Sequence, residues 1–265
     1  MTNAALRRIL RRMPGEIRLV HHYVFLILLV LLPVSGVRGM RRMRARQPLP
    51  APDPAPAPTP AHRRGPSALQ AYGATMLFQI AVCWLVLYGG SYPAAWPELG
   101  LGPPRMGPLR WFVGACALLL PFFWQWRSRR LRNPVILARV RARYDKIKSF
   151  LPRNGRDYAA FVVLSLVGGV CEEILYRGFL GWYLVHVMSP LATAFVASLV
   201  FALGHVYQGW KNAARTFLFG LMHWFVYGLT GSIVPGMVLH ALFNIQAGDV
   251  IRRAFAAGEP VPAAR

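Results

Sequence analysis

Long apolar runs alternate with short polar segments along the 265-residue chain, and their lengths predict a helical membrane protein. An α-helix needs about 20 apolar residues to cross a bilayer. The predicted fold class is therefore all-α, a polytopic transmembrane helical bundle of about six core helices. We expect the spanning helices at residues 68–89, 111–126, 161–187, 190–209, 213–229 and 232–250.

A further apolar segment at residues 19–37 fits this scheme less well. Its most apolar part, residues 23–37, is short for a span and contains Pro33. Five arginines precede it within residues 1–18, and a crossing here would place them outside the cell. The segment is either a re-entrant or interfacial helix broken at Pro33, or a span that violates the charge bias.

The distribution of charge predicts the orientation. The formal net charge is +22, but the basic residues lie mostly in short blocks beside apolar runs, which is typical of membrane topology and not of nucleic-acid binding. Residues 127–156 hold eleven Lys and Arg against Asp145, so this loop should face the cytoplasm and residues 90–110 should be external. The same alternation places four further basic residues inside: Lys211, Arg215, Arg252 and Arg253.

Composition divides the chain into five regions. Proline occupies every even position from 48 to 60, which predicts a stiff polyproline II spacer or, alternatively, a docking strand for a partner. The expected regions are a basic N-terminal region (1–47), a proline-rich linker (48–66), two transmembrane helices with the basic cytoplasmic loop (67–157), a core that carries the charged motifs (158–250) and a C-terminal tail (251–265).

The cysteines are three, an odd number, and all lie in apolar runs. This pattern does not favour a disulfide framework. We expect Cys83, Cys116 and Cys171 to be buried free thiols.

One apolar run is interrupted by charge in the sequence GGVCEEILYRGFL, residues 168–180. Charged side chains cost several kcal/mol in hydrocarbon, so they persist there when they are paired or functional. Residues four apart share a helical face, so Glu173 can pair with Arg177, while Glu172 points elsewhere. An unpaired carboxylate in the membrane is a functional candidate, and locking of neighbouring helices is the structural alternative.

Two other runs carry polar residues at the same four-residue spacing. Phe201 and His205 lie in SLVFALGHVYQG, and His240 and Asn244 lie in MVLHALFNIQ. A Glu and a His together can take a proton from water, and a His with an Asn can donate hydrogen bonds to an oxyanion. If the charged helix runs from 161 to 187, its glutamate is about 16 Å deep and His205 about 8 Å, so helix tilt can bring them together.

These motifs resemble those of the CPBP intramembrane proteases, which include CAAX prenyl proteases and bacteriocin-processing or Abi-type proteins. EEILYR, FALGH and HALFN match the family patterns EExxxR, FxxxH and HxxxN in order and spacing, over about residues 158–250. The resemblance implies peptide-bond hydrolysis within the membrane. It implies that Glu172 and His205 activate water, that His240 and Asn244 stabilise the oxyanion, and that Glu173, Arg177 and Phe201 support the site.

The resemblance leaves metal dependence open. The chain contains no HExxH sequence and Asn is a poor zinc ligand, so a cofactor-free, glutamate-dependent mechanism is favoured. In the zinc-dependent alternative, the ligands would be Glu172, His205 and His240.

Other interpretations stay open at this point. Cys171 could act as the nucleophile with His205, although apolar burial disfavours a thiolate. The chain could instead be a non-proteolytic membrane scaffold or immunity protein, or a proton-coupled transporter. His223 could approach the site, and a packed core position is the more favoured interpretation.

The expected partners are the lipid bilayer and a membrane-embedded or lipid-anchored peptide or protein substrate, with no nucleic acid. The richness in Ala, Arg and Pro is typical of a high-GC bacterium. We therefore expect a multi-pass protein of the bacterial cytoplasmic membrane.

Overall fold

The computed structural model of the protein describes residues 19–45, 67–88, 96–152 and 154–256. The basic first 18 residues, the proline-rich linker and the last nine residues lie outside the described part, so the spacer interpretation stays a prediction. Within the described part the chain is helical and contains no strand, which confirms the all-α prediction. The helices are α1 (Leu19–Leu26), α2 (Leu32–Ala45), α3 (Ala68–Tyr88), α4 (Met106–Leu131), α5 (Pro134–Tyr144), α6 (Gly155–Glu173), α7 (Leu180–Val185), α8 (Pro190–Gly204), α9 (Trp210–Thr230) and α10 (Val234–Ala256).

Three of the described helical stretches are long and apolar enough to cross a membrane. They are Leu19–Arg41, Ala68–Tyr88 and Gly155–Val185, and α8 is a shorter apolar helix. The molecule is thus a helical membrane protein, and the number of six core spans stays a prediction.

Of the two alternatives for the N-terminal apolar segment, the helix broken at Pro33 is not observed. Helix α1 continues through a π-helical turn, Ile27–Leu31, directly into α2. The turn is closed by the Leu32 N–H donating to the Ile27 carbonyl. A proline removes one backbone donor and crowds the preceding turn, and a wider turn just before it relieves that crowding. The N-terminal apolar segment is therefore one continuous helix.

The basic segment between α4 and α6 is largely helical, whereas the sequence predicted a loop. Helix α4 extends to Leu131, and α5 begins at Pro134 after two intervening residues. The Asn133 side chain accepts hydrogen bonds from the backbone N–H groups of Val135 and Ile136 at 2.9 and 3.3 Å, and Pro134 occupies the first turn. Both features favour the start of a helix at this position. We predicted a loop because the segment is rich in positive charge.

Helix α6 is central to the bundle and packs most closely against α10. A Cβ atom at Gly169 would lie 2.8 Å from the backbone nitrogen of Ala241 and 2.9 Å from the carbonyl oxygen of Met237. Small residues allow this kind of backbone approach between helices in a membrane. The contact places the charged motif of α6 beside the His240 face of α10.

On its other side, α6 packs against α3. The Cys83 thiol donates to the carbonyl oxygen of Cys171 at 3.4 Å, and both side chains are buried. All three cysteines are free thiols, as predicted, but Cys116 is exposed. The burial prediction fails for Cys116 because an apolar residue in a membrane helix can face lipid as readily as protein.

The end of α4 is joined to the end of α10 by one ion pair. Arg127 donates to the carboxylate of Asp249, which also accepts hydrogen bonds from Arg252 and Arg253 at 3.1 and 3.0 Å. The two basic ends therefore lie on the same side of the bundle, which agrees with the alternation inferred from charge.

Candidate active site

The charged motif lies in the middle of a continuous helical stretch, as the depth argument required. Helix α6 ends at Glu173 and passes through a π-helical turn, Ile174–Phe179, into α7, so that helical backbone runs from Gly155 to Val185. Arg177 lies inside the π-helical turn. Such turns are often found at functional sites, because they redirect side chains without ending the helix.

Glu173 is the centre of a buried polar cluster. Its Oε1 atom accepts hydrogen bonds from Arg177 Nη1 at 3.0 Å and from His240 Nδ1 at 2.9 Å. The side chains of Glu173 and Arg177 are each 1% exposed, and Arg177 Nη2 also donates to the Gly220 carbonyl at 3.1 Å. The pairing predicted from the four-residue spacing is present, and it ties α6, α9 and α10 together.

Glu172 has different surroundings. Its Oε1 atom accepts a hydrogen bond from Gln79 Nε2 at 2.8 Å. Its Oε2 atom is buried without a hydrogen-bond partner among the described residues. That atom lies 3.6 Å from His240 Nε2 and 3.9 Å from His205 Nε2. One carboxylate oxygen is therefore fixed, and the other faces two imidazole rings.

The orientation of His205 follows from its backbone contact. Helix α8 ends at Gly204, so His205 lies at the C-terminal cap and not inside the helix as predicted. A carbonyl oxygen can only accept, so His205 Nδ1 carries a proton and donates to the Phe201 carbonyl at 2.9 Å. In the neutral ring, Nε2 then presents a lone pair towards Glu172.

Phe201 contacts both histidines and the guanidinium. Its ring centroid lies 4.7 Å from that of His205 and 5.8 Å from that of His240, both edge-on. The Arg177 guanidinium carbon lies 4.7 Å from the same centroid. The fully packed ring fixes the positions of both imidazoles.

A cavity of about 590 Å³ opens onto these groups. Five of the seven residues predicted from the sequence line it, and the exceptions, Glu173 and Arg177, are buried beneath it. The Asn244 side chain makes no hydrogen bond to a described residue, so its amide is available within the cavity. The five predicted lining residues are Glu172, Phe201, His205, His240 and Asn244.

Sequence reasoning missed Gln79 and undervalued His223. Gln79 is a polar residue in the otherwise apolar part of α3, and that position was the available signal. His223 Nδ1 donates to the Phe219 carbonyl at 2.9 Å, and its Nε2 lies 4.0 Å from Glu173 Oε1. His223 is thus a packed core residue that also contacts the Glu173 cluster. The alternative nucleophile Cys171 is not among the residues that line the cavity.

Glu173, His223 and His240 offer ligand atoms within 4.8 Å of one another, so this group could hold a metal ion. It differs from the set suggested by the sequence, which was Glu172, His205 and His240. The charge beside the group opposes a cation, since the Arg177 guanidinium lies 3.0 Å from Glu173 Oε1. A metal ion bound to that oxygen would have to displace both the guanidinium and His240 Nδ1.

The comparisons with known proteins agree with the geometry. Residues 154–246 match the family described as type II CAAX prenyl endopeptidase Rce1-like. No curated protein and no solved structure matches the chain. The matched segment contains all three motifs and all seven residues predicted from the sequence. Residues 154–246, 93 of the 265 residues of this membrane protein, are therefore similar to the family of type II CAAX prenyl endopeptidases.

Proposed function

We propose that the chain is an intramembrane endopeptidase that hydrolyses a peptide bond of a membrane-associated protein or peptide with water activated by Glu172 and His205. One observation carries the proposal. The Oε2 atom of Glu172 is buried, has no hydrogen-bond partner among the described residues and faces two histidines on a cavity that also contains Asn244. An unpaired carboxylate oxygen in this position suits a general base.

The water is held between Glu172 and His205. Glu172 Oε2 and His205 Nε2 are both acceptors and lie 3.9 Å apart, so one water molecule can donate a hydrogen bond to each. Glu172 takes a proton from the water as the water oxygen attacks the carbonyl carbon of the substrate. The C–O bond forms, and the carbonyl electron pair moves to the oxygen as an oxyanion. Glu172 then returns the proton to the amine nitrogen as the C–N bond breaks.

His240 and Asn244 stabilise the oxyanion. His240 Nδ1 donates to Glu173, so donation to the substrate requires a second proton on Nε2. The carboxylates of Glu172 and Glu173 lie on opposite sides of the ring, at 3.6 and 2.9 Å, and compensate the imidazolium charge. The charges of the two carboxylates, the protonated His240 and Arg177 add up to zero. Asn244, one helical turn after His240, adds amide donors on the same face.

The reaction as proposed uses no metal ion. The Glu173 oxygen that would bind a metal is already paired with a buried guanidinium, and a cation added there would be repelled. Its two hydrogen bonds also position His240 for the oxyanion role. We therefore prefer the glutamate-dependent mechanism to one with a metal ion on Glu173, His223 and His240, and the metal content of the purified protein tests the zinc-dependent alternative on Glu172, His205 and His240.

The substrate class follows from the depth of the site. Glu172 lies near the middle of the helical stretch from Gly155 to Val185, which is long enough to span a bilayer. A polypeptide must therefore reach this depth, either as a membrane-embedded segment or beside a lipid anchor. The lipid bilayer and such a substrate are the proposed partners.

Glu172→Gln tests the proposal, because it keeps the size and the hydrogen bonding of the side chain but removes the base. The purified protein in detergent is assayed with an internally quenched peptide that carries a farnesylated C-terminal CAAX sequence. Membranes of cells with the wild-type protein and with the variant are compared in parallel for changed protein C-termini. We expect the variant to lose cleavage in both assays with an unchanged Tm.

Glu98→Gln provides the control, since it makes the same substitution in the turn that precedes α4 and should leave cleavage intact. Full activity of Glu172→Gln would show that the carboxylate is not the base.

A further inference from the structure

We propose that Gln79 is a positioning residue of this active site, which orients the Glu172 carboxylate for proton transfer. The inference rests on the proposed function. Gln79 belongs to α3 and lies outside the segment that matches the protease family. The active site would then depend on α3, a helix that contains none of the three motifs.

The hydrogen bond between the two side chains is short and has a defined direction. Gln79 Nε2 lies 2.8 Å from Glu172 Oε1. An ionised carboxylate only accepts hydrogen bonds, so the NH₂ group and not the carbonyl of the amide must face it. Hydrogen bonds to a charged group are about twice as strong as neutral ones. Gln79 therefore holds the Oε1 atom of the Glu172 carboxylate by a directed hydrogen bond.

This bond makes the two carboxylate oxygens different. The terminal torsion of a glutamate is broad, so a carboxylate without a partner samples many orientations. With Oε1 held by Gln79, the Oε2 atom stays at 3.9 Å from His205 and 3.6 Å from His240. The proton taken from water then resides on the oxygen that faces the substrate, where it can be returned to the amine.

Within the described part of the chain, no other side-chain hydrogen bond accounts for the position of Gln79. Its own Oε1 atom is buried and has no partner among the described residues. The side chain lies where the large cavity meets a second one of about 350 Å³ on the α2 side, and it lines both. The observed polar contact of this half-buried amide is therefore the one with Glu172.

Gln79→Met tests the inference, because methionine keeps the length and removes the donor. With the same quenched farnesylated peptide, we expect kcat to fall about 10- to 100-fold, the loss for one hydrogen bond to a charged group. KM should change less than about threefold and Tm should be unchanged, a separation that a merely structural role would not produce. Gln125→Met, the same change on the exposed surface of α4, is the matched control and should retain wild-type kinetics.

A second variant tests the donor itself. Gln79→His keeps an N–H at similar reach and should retain kcat within about tenfold of wild type. If Gln79→Met proves unstable, Gln79→Leu, which also lacks the donor and adds no charge, should show the same fall in kcat. The inference is overturned if a variant without the donor keeps the wild-type kcat. It is also overturned if the fall in kcat is accompanied by a matching fall in Tm. If Glu172→Gln is itself active, the proposed function fails first, so the two failures are distinguishable.

Discussion

Glu172 and Glu173 are neighbours in the chain, yet their carboxylates have different surroundings. Glu173 is 1% exposed and accepts hydrogen bonds from a guanidinium and an imidazole. Glu172 is 15% exposed at its side chain, accepts one amide hydrogen bond and keeps one free oxygen. Neighbouring residues on a helix diverge by about 100°, which is enough to give one carboxylate a supporting role and the other a chemical one.

Glu173→Ala should therefore lower stability as well as activity. The change leaves the Arg177 guanidinium buried without its carboxylate, at a cost of about 3–5 kcal/mol. Thermal unfolding of the purified protein in detergent should show a large fall in Tm. Asp145→Asn is the control, because its ion pair with Lys148 is exposed and worth about 1 kcal/mol or less. An unchanged Tm for Glu173→Ala would contradict the supporting role.

The paired state of Glu173 also determines the expected metal content. Its Oε1 atom is engaged by both Arg177 and His240, so this oxygen is not free to complete a metal site with His223 and His240. We expect well under one zinc per purified chain, and activity that survives exhaustive chelator treatment and dialysis. Stoichiometric zinc by elemental analysis, with chelator inhibition reversed by added metal, would establish the metal-dependent mechanism instead.

At the scale of helices, the close approach of α6 and α10 brings the motifs together. Gly169→Ala places a methyl group 2.8 Å from the backbone of Ala241, and backbone cannot move as a side chain can. We expect a loss of about 1–3 kcal/mol in unfolding free energy, together with lower activity because His240 shifts. Gly73→Ala in α3, with open space around it, should be neutral or slightly stabilising. Equal Tm values for the two variants would contradict this packing.

The sequence predicted best those features that depend on local spacing. The ion pair between Glu173 and Arg177 and the continuous helix around it follow from four-residue periodicity and apolar length. The contacts of Gln79 and His223 link residues far apart in the chain, and no local pattern specifies which polar residue of one helix meets which residue of another. The end of α8 before His205 is a local feature. It was not predicted because the apolar run continues beyond the end of the helix.

At the scale of the whole molecule, the charge distribution predicts the orientation in the membrane. The predicted internal ends of α4 and α10 meet through Arg127 and Asp249, so one side of the bundle carries much of the basic charge. Cysteine labelling tests which side this is. Cys116 is exposed and must first be replaced by serine, whereas Cys83 and Cys171 are buried.

In that background, Arg139→Cys lies on α5 in the basic segment and Pro97→Cys lies in the turn that precedes α4. We expect an impermeant thiol reagent applied to intact cells to label the Pro97→Cys variant and to spare Arg139→Cys. Labelling of Arg139→Cys in intact cells, at the level seen after lysis, would reverse the topology.

The pairing of Glu173 with Arg177 has a consequence for biosynthesis. Both residues belong to one helical stretch, whereas Gly220 and His240, their other partners, lie later in the chain. A single charged residue at the centre of a nascent helix costs about 2.5–3.5 kcal/mol during insertion. Because the carboxylate and the guanidinium neutralise each other within one turn, this segment enters the bilayer with a single net charge. It can therefore be inserted before the ribosome has completed α9 and α10.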